Sequence, residues 1–431
     1  SFVIFKENQF ISYIDVLNWF IDKDLISLGP LDKENNNDDF TGSEFISIHP
    51  EQDSLSFIAR SAEYNLSDYI IYAHGVDSIS LANGYIYPDN GDVKIMQDAA
   101  ISKFNNSKIF FNGYYINNCE IDVLGKFNFT GQGFYEFTNN QDTVFELFLD
   151  KIYIENDKIV ANSNLENNIV LSDKFKFTGQ MKMLSDKKDI LYSGILNIYS
   201  KCNIVSGKSI YIDQHLNMDT LYIVLDNKII DKNNNDLYVG LYFDNNDLNF
   251  GFFDRFNDDI YKILEYKGVF YYADSNFIFK NDINSFSLDE NSCIVKGLGL
   301  FDFGFDFGIC NSFIAGKFEF DINKHQFSTN CMLGVDFNLD KKKSFEILGT
   351  TIQEDLMLEE IELKESFYLP LFSFFLKDDQ VYDYDIYGEF KYVPDQINKS
   401  LFFYDVKLRW DNSSNVFYSV GDLGLGNIKN Y

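Results

Sequence analysis

The string Lys126-Phe127-Asn128-Phe129-Thr130-Gly131-Gln132 returns as Lys174-Phe175-Lys176-Phe177-Thr178-Gly179-Gln180, with six of its seven positions identical. In both copies Phe alternates with a polar residue. Successive side chains of a strand point to opposite faces, so Phe127 with Phe129, and Phe175 with Phe177, are expected to share one face. The strand is expected to stop at Thr-Gly-Gln. Two such units imply stacked β-elements, each burying its apolar face against a neighbour. Gly316-Lys317-Phe318-Glu319-Phe320 repeats the pattern more weakly.

Aromatic residues supply enough apolar surface for a packed core. The 431 residues include 45 Phe and 28 Tyr against only 5 Pro, which argues against disorder. The net charge of −30 argues against nucleic acid and anionic membrane surfaces as partners. It reads as solubility charge on exposed strand faces and loops. Five widely spaced cysteines (Cys119, Cys202, Cys293, Cys310, Cys331) form no Cys-x-x-Cys, so a zinc site is not expected. An odd count leaves at least one thiol unpaired in an oxidising compartment. No apolar run reaches about 18 residues, so no transmembrane helix is expected. The start, Ser1-Phe2-Val3-Ile4-Phe5, has neither Met nor a basic segment and reads as a cut from something longer.

The pattern divides into four segments. Residues 1–44 read as an N-terminal helix and loop: Phe10, Ile14, Leu17, Ile21 and Leu25 fall at helical steps, and Gly29-Pro30 ends them. Residues 45–340 read as an elongated repeat β domain. Polar breaks near Asn139, Asn156, Ser185 and Asn233 separate its strands, and Pro88-Asp89-Asn90-Gly91 reads as a hairpin turn. Residues 341–386 read as a helical insert, with Phe345, Leu348, Ile352 and Leu356 at helical spacing. Residues 387–431 read as truncated β-hairpins, turning at Asn412-Ser413-Ser414-Asn415. The expected fold is therefore mainly β: an elongated antiparallel stack, open jelly-roll or sandwich-like, with helices near the N-terminus and in the insert.

Phe301, Phe303, Phe305 and Phe307 alternate along another strand and share a face that needs a cover, either a second sheet or an apolar ligand. With Phe127, Phe129, Phe175 and Phe177 they are the candidate ligand-binding residues. Nothing comparable points to catalysis. Asp231-Lys232-Asn233-Asn234-Asn235-Asp236 begins like a calcium loop but has Asp236 where Gly is needed and Tyr242 where a bidentate Glu is needed, so a plain turn is expected. Asp254, Asp258 and Asp259 around Arg255 read as a solvated charge cluster. The four histidines (His49, His74, His215, His325) are isolated in sequence. Gly131, Gly133, Gly297 and Gly299 lack the strand-to-helix setting of a nucleotide loop and read as bulges or close strand contacts. No catalytic residue, metal or cofactor is assigned.

Tyr85-Ile86-Tyr87-Pro88-Asp89-Asn90-Gly91-Asp92-Val93, Asp98-Ala99-Ala100, Asn106-Ser107-Lys108-Ile109, Gly131-Gln132-Gly133-Phe134-Tyr135, Gly297-Leu298-Gly299, the segment 401–408 and Gly424-Leu425-Gly426-Asn427-Ile428 occur in order along the chain. In these segments the chain resembles large uncharacterised cell-envelope proteins of Bacteroidota. That family carries no established activity; the resemblance implies a place in the cell envelope, periplasmic or outer-membrane associated. At fold level the short-strand repeats look like the open β-jelly-rolls that carry lipopolysaccharide across the periplasm, with an apolar groove between two sheets. The expectation is a non-enzymatic envelope β-scaffold that binds or conducts an apolar ligand such as lipid or lipopolysaccharide along its Phe-lined face. A lipid or an envelope protein would be its partner. The alternatives are a structural, assembly or surface-binding module, and a carbohydrate-active enzyme with an acidic pair in a β-cleft.

Overall fold

A computed structural model describes residues 2–29, 42–254, 260–271, 284–303, 310–337 and 397–428, apart from positions 15, 140–141, 173, 203, 205–208, 217–221, 226–228, 245–246 and 267. The fold is mainly β, built of large antiparallel sheets, and among the described residues no helix reaches 7 residues. The chain forms two compact units, residues 1–194 with 213–218, and residues 195–212 with 219–431.

The first unit opens with eleven short strands: β1 (Phe2–Phe5), β2 (Phe10–Tyr13), β3 (Leu17–Phe20), β4 (Leu25–Leu28), β5 (Ser43–Ser47), β6 (Ser56–Ala59), β7 (Ser61–Asn65), β8 (Ile70–His74), β9 (Ile79–Leu81), β10 (Gly84–Tyr87) and β11 (Val93–Ile95). Longer strands follow: β12 (Phe104–Phe111), β13 (Tyr114–Gly125), β14 (Asn128–Thr138), β15 (Val144–Glu155), β16 (Lys158–Val170), β17 (Phe175–Leu184) and the first half of β18 (Ile190–Ile198). One sheet runs β1-β2-β5-β6-β9-β10-β12 and continues as a meander through β17. A second runs β3-β4-β7-β8-β11. Within the first sheet Phe45 stacks on its cross-strand partner Phe57 at 5.5 Å, and the two sheets meet where Phe5 packs edge-on against Tyr64 of the second sheet at 4.9 Å.

The helix expected over residues 9–28 does not form; β2, β3 and β4 occupy that stretch. Residues 10–21 are dominated by aromatic and β-branched side chains, which favour a pleated surface over a helix. Their supposed common stripe splits as well, with Phe10 fully buried and Ile21 exposed. The Pro88–Gly91 turn joins no hairpin. β10 pairs with β9 and β12, whereas β11 pairs with β8, so the turn carries the chain from one sheet to the other. Tertiary bonds fix this path: Val76 N–H donates to the Gly91 carbonyl at 2.9 Å, and Asp89 N–H to Ser107 Oγ at 3.3 Å.

The repeated heptapeptides lie in β14 and β17. Both strands run on past Thr-Gly-Gln, to Thr138 and Leu184. Ladder irregularities flank the glycines in both copies, as bulges relieve strain where one strand holds an extra residue. A side-chain carbon on Gly133 would meet Cys119 Sγ at 2.6 Å, which confirms a close strand contact there.

The second unit holds the first half of β19 (Ser209–Leu216), then β20 (Tyr222–Leu225), β21 (Ile229–Asp231), β22 (Asp236–Asp244), β23 (Asp247–Asp254), β24 (Ile260–Tyr266), β25 (Gly268–Tyr271), β26 (Ser285–Asp289), β27 (Ile294–Phe303), β28 (Cys310–Asp321), β29 (Gln326–Phe337), β30 (Leu401–Asp411), β31 (Val416–Ser419) and β32 (Gly424–Ile428). β24 bonds β22 on one side and β27 on the other, and β27-β28-β29-β30-β31 follow in ladder order. The sheet curls so that Phe250 of β23 packs on Phe286 at 5.2 Å and Phe318 at 5.5 Å, while Phe270 stacks on Phe286 at 4.9 Å. Cys202 and Cys293 form a disulfide.

Three turns at one end of this sheet share one construction. Asp289 opposes Ile294, Asp321 opposes Gln326, and Asp411 opposes Val416. Each Asp carboxylate accepts the N–H two residues on, from Asn291, Asn323 and Ser413, at 2.9–3.1 Å. Each turn closes through a left-handed residue, Cys293, His325 or Asn415. Asp231 caps its own turn, accepting from the Asn233 and Asn235 N–H groups at 2.8 Å, as expected of a plain turn. The insert expected over 341–386 and the cluster Arg255, Asp258 and Asp259 lie outside the described residues.

Candidate functional site

The candidate Phe residues separate by environment. Phe129, Phe175 and Phe177 are buried in the core, and Phe177 meets Tyr192 edge-on at 5.1 Å. Phe127 does not share their face: it sits in the turn between β13 and β14, 40% exposed, with the Lys126 ammonium 5.8 Å from its ring. The strand that holds Phe129 starts one residue later, so the alternation that placed both rings together breaks at the turn. On β27 Phe301 stands opposite Ile314 of β28 and Tyr266 of β24, and Phe303 opposite Leu264 of β24. Phe305 and Phe307 lie outside the described residues. The echo at 316–320 also faces inward, with Phe318 and Phe320 buried.

Among the described residues an apolar surface stands open on the outer face of β1-β2-β5-β6. Registers across the four strands build two rows, Phe2-Tyr13-Glu44-Ile58 and Ile4-Ile11-Ile46-Ser56. Phe2 is 60% exposed and Tyr13 52%, with their rings 6.2 Å apart; Ile4, Ile58 and neighbouring Ile48 are exposed too. A strand alternates, so burying Phe5, Phe10, Phe45 and Phe57 inside turns these residues outward. Hydrophobic side chains on both faces of a sheet mark a surface made to be covered. The signal in the sequence is Ile11-Ser12-Tyr13 and Ile46-Ser47-Ile48, the first of which the helical reading of residues 9–28 obscured.

A second feature is a surface depression of about 280 Å³ between β8, β11 and the start of β12. On its rim His74 Nδ1 and Asp92 Oδ1 stand 2.7 Å apart. The Lys94 ammonium lies 5.4 Å from the Tyr72 ring. The Lys103 ammonium, 2.7 Å from Glu120, holds that carboxyl below the usual carboxylate range. A carboxylate can orient an imidazole for proton transfer, but among the described residues no hydroxyl or thiol bonds to the His74 ring, so the pair lacks the third member of a nucleophilic site. Among the described residues no cluster of three His, Cys, Asp or Glu could hold a metal ion.

No protein family, curated protein or solved structure matches the chain. The surfaces themselves therefore carry the functional reading. Among the described residues no helix is long and apolar enough to cross a membrane.

Proposed function

We propose that the chain is a non-enzymatic β-scaffold of the cell envelope that assembles with a protein component of that envelope through the outer face of β1-β2-β5-β6. The observation that carries this reading is the pair of open rows headed by Phe2-Tyr13 and Ile4-Ile11. A contiguous apolar patch exposed on a protein surface often marks an interaction surface. Glu44 decides the kind of partner. It interrupts the first row between Tyr13 and Ile58, and a carboxylate there gains nothing from an acyl chain but can pair with a cation on a protein. The net charge of −30 also disfavours an anionic lipid surface. The Cys202–Cys293 disulfide supports an oxidising compartment such as the periplasm. The facing sheets of the first unit support a sandwich-like architecture.

A photo-crosslinking residue in place of Ile11, expressed in the native host, tests this. The expected product is a discrete adduct with one envelope protein, lost when Phe2, Ile4 and Tyr13 are replaced together by Ser while the circular dichroism stays unchanged. Adducts with lipid alone, or no adduct, overturn the reading.

A further inference from the structure

We propose that the outer face of β28, β29 and β30 is a binding site for a saccharide bearing an anionic group, a carboxylate or a phosphate. The proposal concerns the other compact unit and does not rest on the protein-docking face.

The register builds this face from two adjacent polar rows. Lys317, Asn330 and Lys407 stand directly opposite one another across three strands. Beside them run Lys296, Glu319, Ser328, Arg409 and Tyr418 across five. Residues two apart on a strand share a face, so the rows form one surface. Two depressions of about 260 and 320 Å³ indent it and join at Glu319, Ser328 and Arg409.

Charge sets this surface apart from the average of the chain. Across the chain 66 acidic residues outnumber 36 basic ones, yet here Lys317, Lys407 and Arg409 line one depression with a single carboxylate, Glu319. That carboxylate is already engaged by Lys296 at 3.5 Å, and nearby Asp321 by Lys324 at 2.6 Å. Among the described residues neither Lys407 nor Arg409 has an ion-pair partner. Like charges on neighbouring positions of a sheet repel, and a bound anion removes that cost. The distant negative charge does not cancel the effect, since at physiological salt screening acts over about 8 Å.

Two further groups specify more than an anion. Asn330 Oδ1 is buried without a hydrogen-bond partner, in the row between Lys317 and Lys407. A buried acceptor left unpaired is costly, so turning the Asn330 amide outward to accept from a ligand hydroxyl would relieve it. Tyr418, opposite Arg409, is 45% exposed and offers an aromatic face beside the guanidinium. A guanidinium with ammonium groups selects carboxylate or phosphate, the amide oxygen selects a hydroxyl donor, and the ring offers a flat apolar surface. A sugar with an acidic substituent presents all three chemistries; an acyl chain presents none of them.

Calorimetric titration of the whole chain in 150 mM salt with trigalacturonate, glucose 6-phosphate, inorganic phosphate and neutral maltotriose is the test. Saturable binding of trigalacturonate or glucose 6-phosphate, at least tenfold tighter than inorganic phosphate or maltotriose, is expected. The two acidic probes separate a carboxylate from a phosphate preference. Lys407→Gln with Arg409→Gln should weaken that binding at least tenfold, and Asn330→Leu should reduce the margin over inorganic phosphate. Lys103→Gln, in the other unit, should change nothing. Both cations are exposed, and an unchanged circular dichroism spectrum confirms that the double variant folds. Absence of binding by both acidic sugars, or equal binding by the double variant, overturns the proposal.

Discussion

The ring of Phe177 lies across Gly194. A side-chain carbon placed on Gly194 would stand 3.0 Å from Phe177 Cζ and 2.7 Å from the Gly179 Cα. Gly179 answers from the other strand: its own added carbon would stand 3.1 Å from the same ring atom and 2.7 Å from the Gly194 Cα, and its φ of 146° lies where L side chains are strained. Two glycines thus let β17 and β18 approach, and one aromatic ring fills the space that their missing side chains leave. Gly194→Val should therefore destabilise the first unit by about 1–3 kcal/mol through overpacking. The measurement is the shift of the urea midpoint at constant slope; an unshifted midpoint would show that the strands can part cheaply.

Phe127 and Phe177 each belong to one of the two heptapeptides but should behave oppositely on truncation. Phe177→Ala removes a fully buried ring and should cost about 3–5 kcal/mol. Phe127→Ala removes a turn residue beside Lys126 and should stay within about 0.5 kcal/mol. Denaturant titrations of both variants give the comparison, and similar losses would contradict the different environments of the two rings.

Period-2 alternation made the β class legible, because Phe129, Phe175, Phe177, Phe318 and Phe320 all turn inward as it requires. It could not locate the ends of strands. Thr-Gly-Gln carries turn-forming residues, yet ladder bonds to neighbouring strands hold it extended in both copies. The stretch 9–28 misled for a related reason. Apolar residues at steps of three and four fit a helix by count, but pairing of Phe10–Tyr13 with β1 and β5 is a long-range event that no local spacing reports. The turn at residues 412–415 was legible in the sequence, but its likeness to the turns after Asp289 and Asp321 was not, because only the Asp recurs strictly. Their likeness lies in register, capping and left-handed closure, and they bond one another: Ile322 N–H donates to the Cys293 carbonyl at 3.0 Å, and Asn412 Nδ2 to the Lys324 carbonyl at 3.3 Å. The open rows of the outer face needed three registers at once, so single strands could not disclose them.

Those turns give a pH dependence with a definite sign. Hydrogen bonding by the Ser414 hydroxyl, then by Ser413, lowers the Asp411 pKa; the Ser292 hydroxyl, then the Asn291 N–H, lowers that of Asp289. A carboxylate depressed in the folded state contributes its full stability above the ordinary carboxylate pKa of about 3.9 and loses it as pH falls through the depressed value. Asp411→Ala should thus lower the melting temperature at pH 7, and the gap to the parent protein should close as pH drops below about 4. A gap that persists unchanged at pH 2.5 would mean that the carboxylate's charge plays no part in the turn.

Four of the five cysteines divide into one bridge and two inert thiols, and a single experiment reads both. Burial pushes the Cys119 and Cys331 thiols up to about 12, so at neutral pH neither offers a thiolate to an alkylating reagent. Cys202 and Cys293 are joined across 91 residues of chain, and closing a loop of that length restricts the unfolded state by about 4–5 kcal/mol in the chain-entropy picture. In a Cys310→Ser background the folded, oxidised protein should take up no maleimide. Mild reduction should expose two sites, mapping to Cys202 and Cys293 by peptide mass, and should lower the urea midpoint of the second unit. Denaturation should then release Cys119 and Cys331. Labelling of Cys119 before denaturation would contradict its burial, and a midpoint unmoved by reduction would show that the bridge constrains a chain already held by the Phe250, Phe286 and Phe318 cluster.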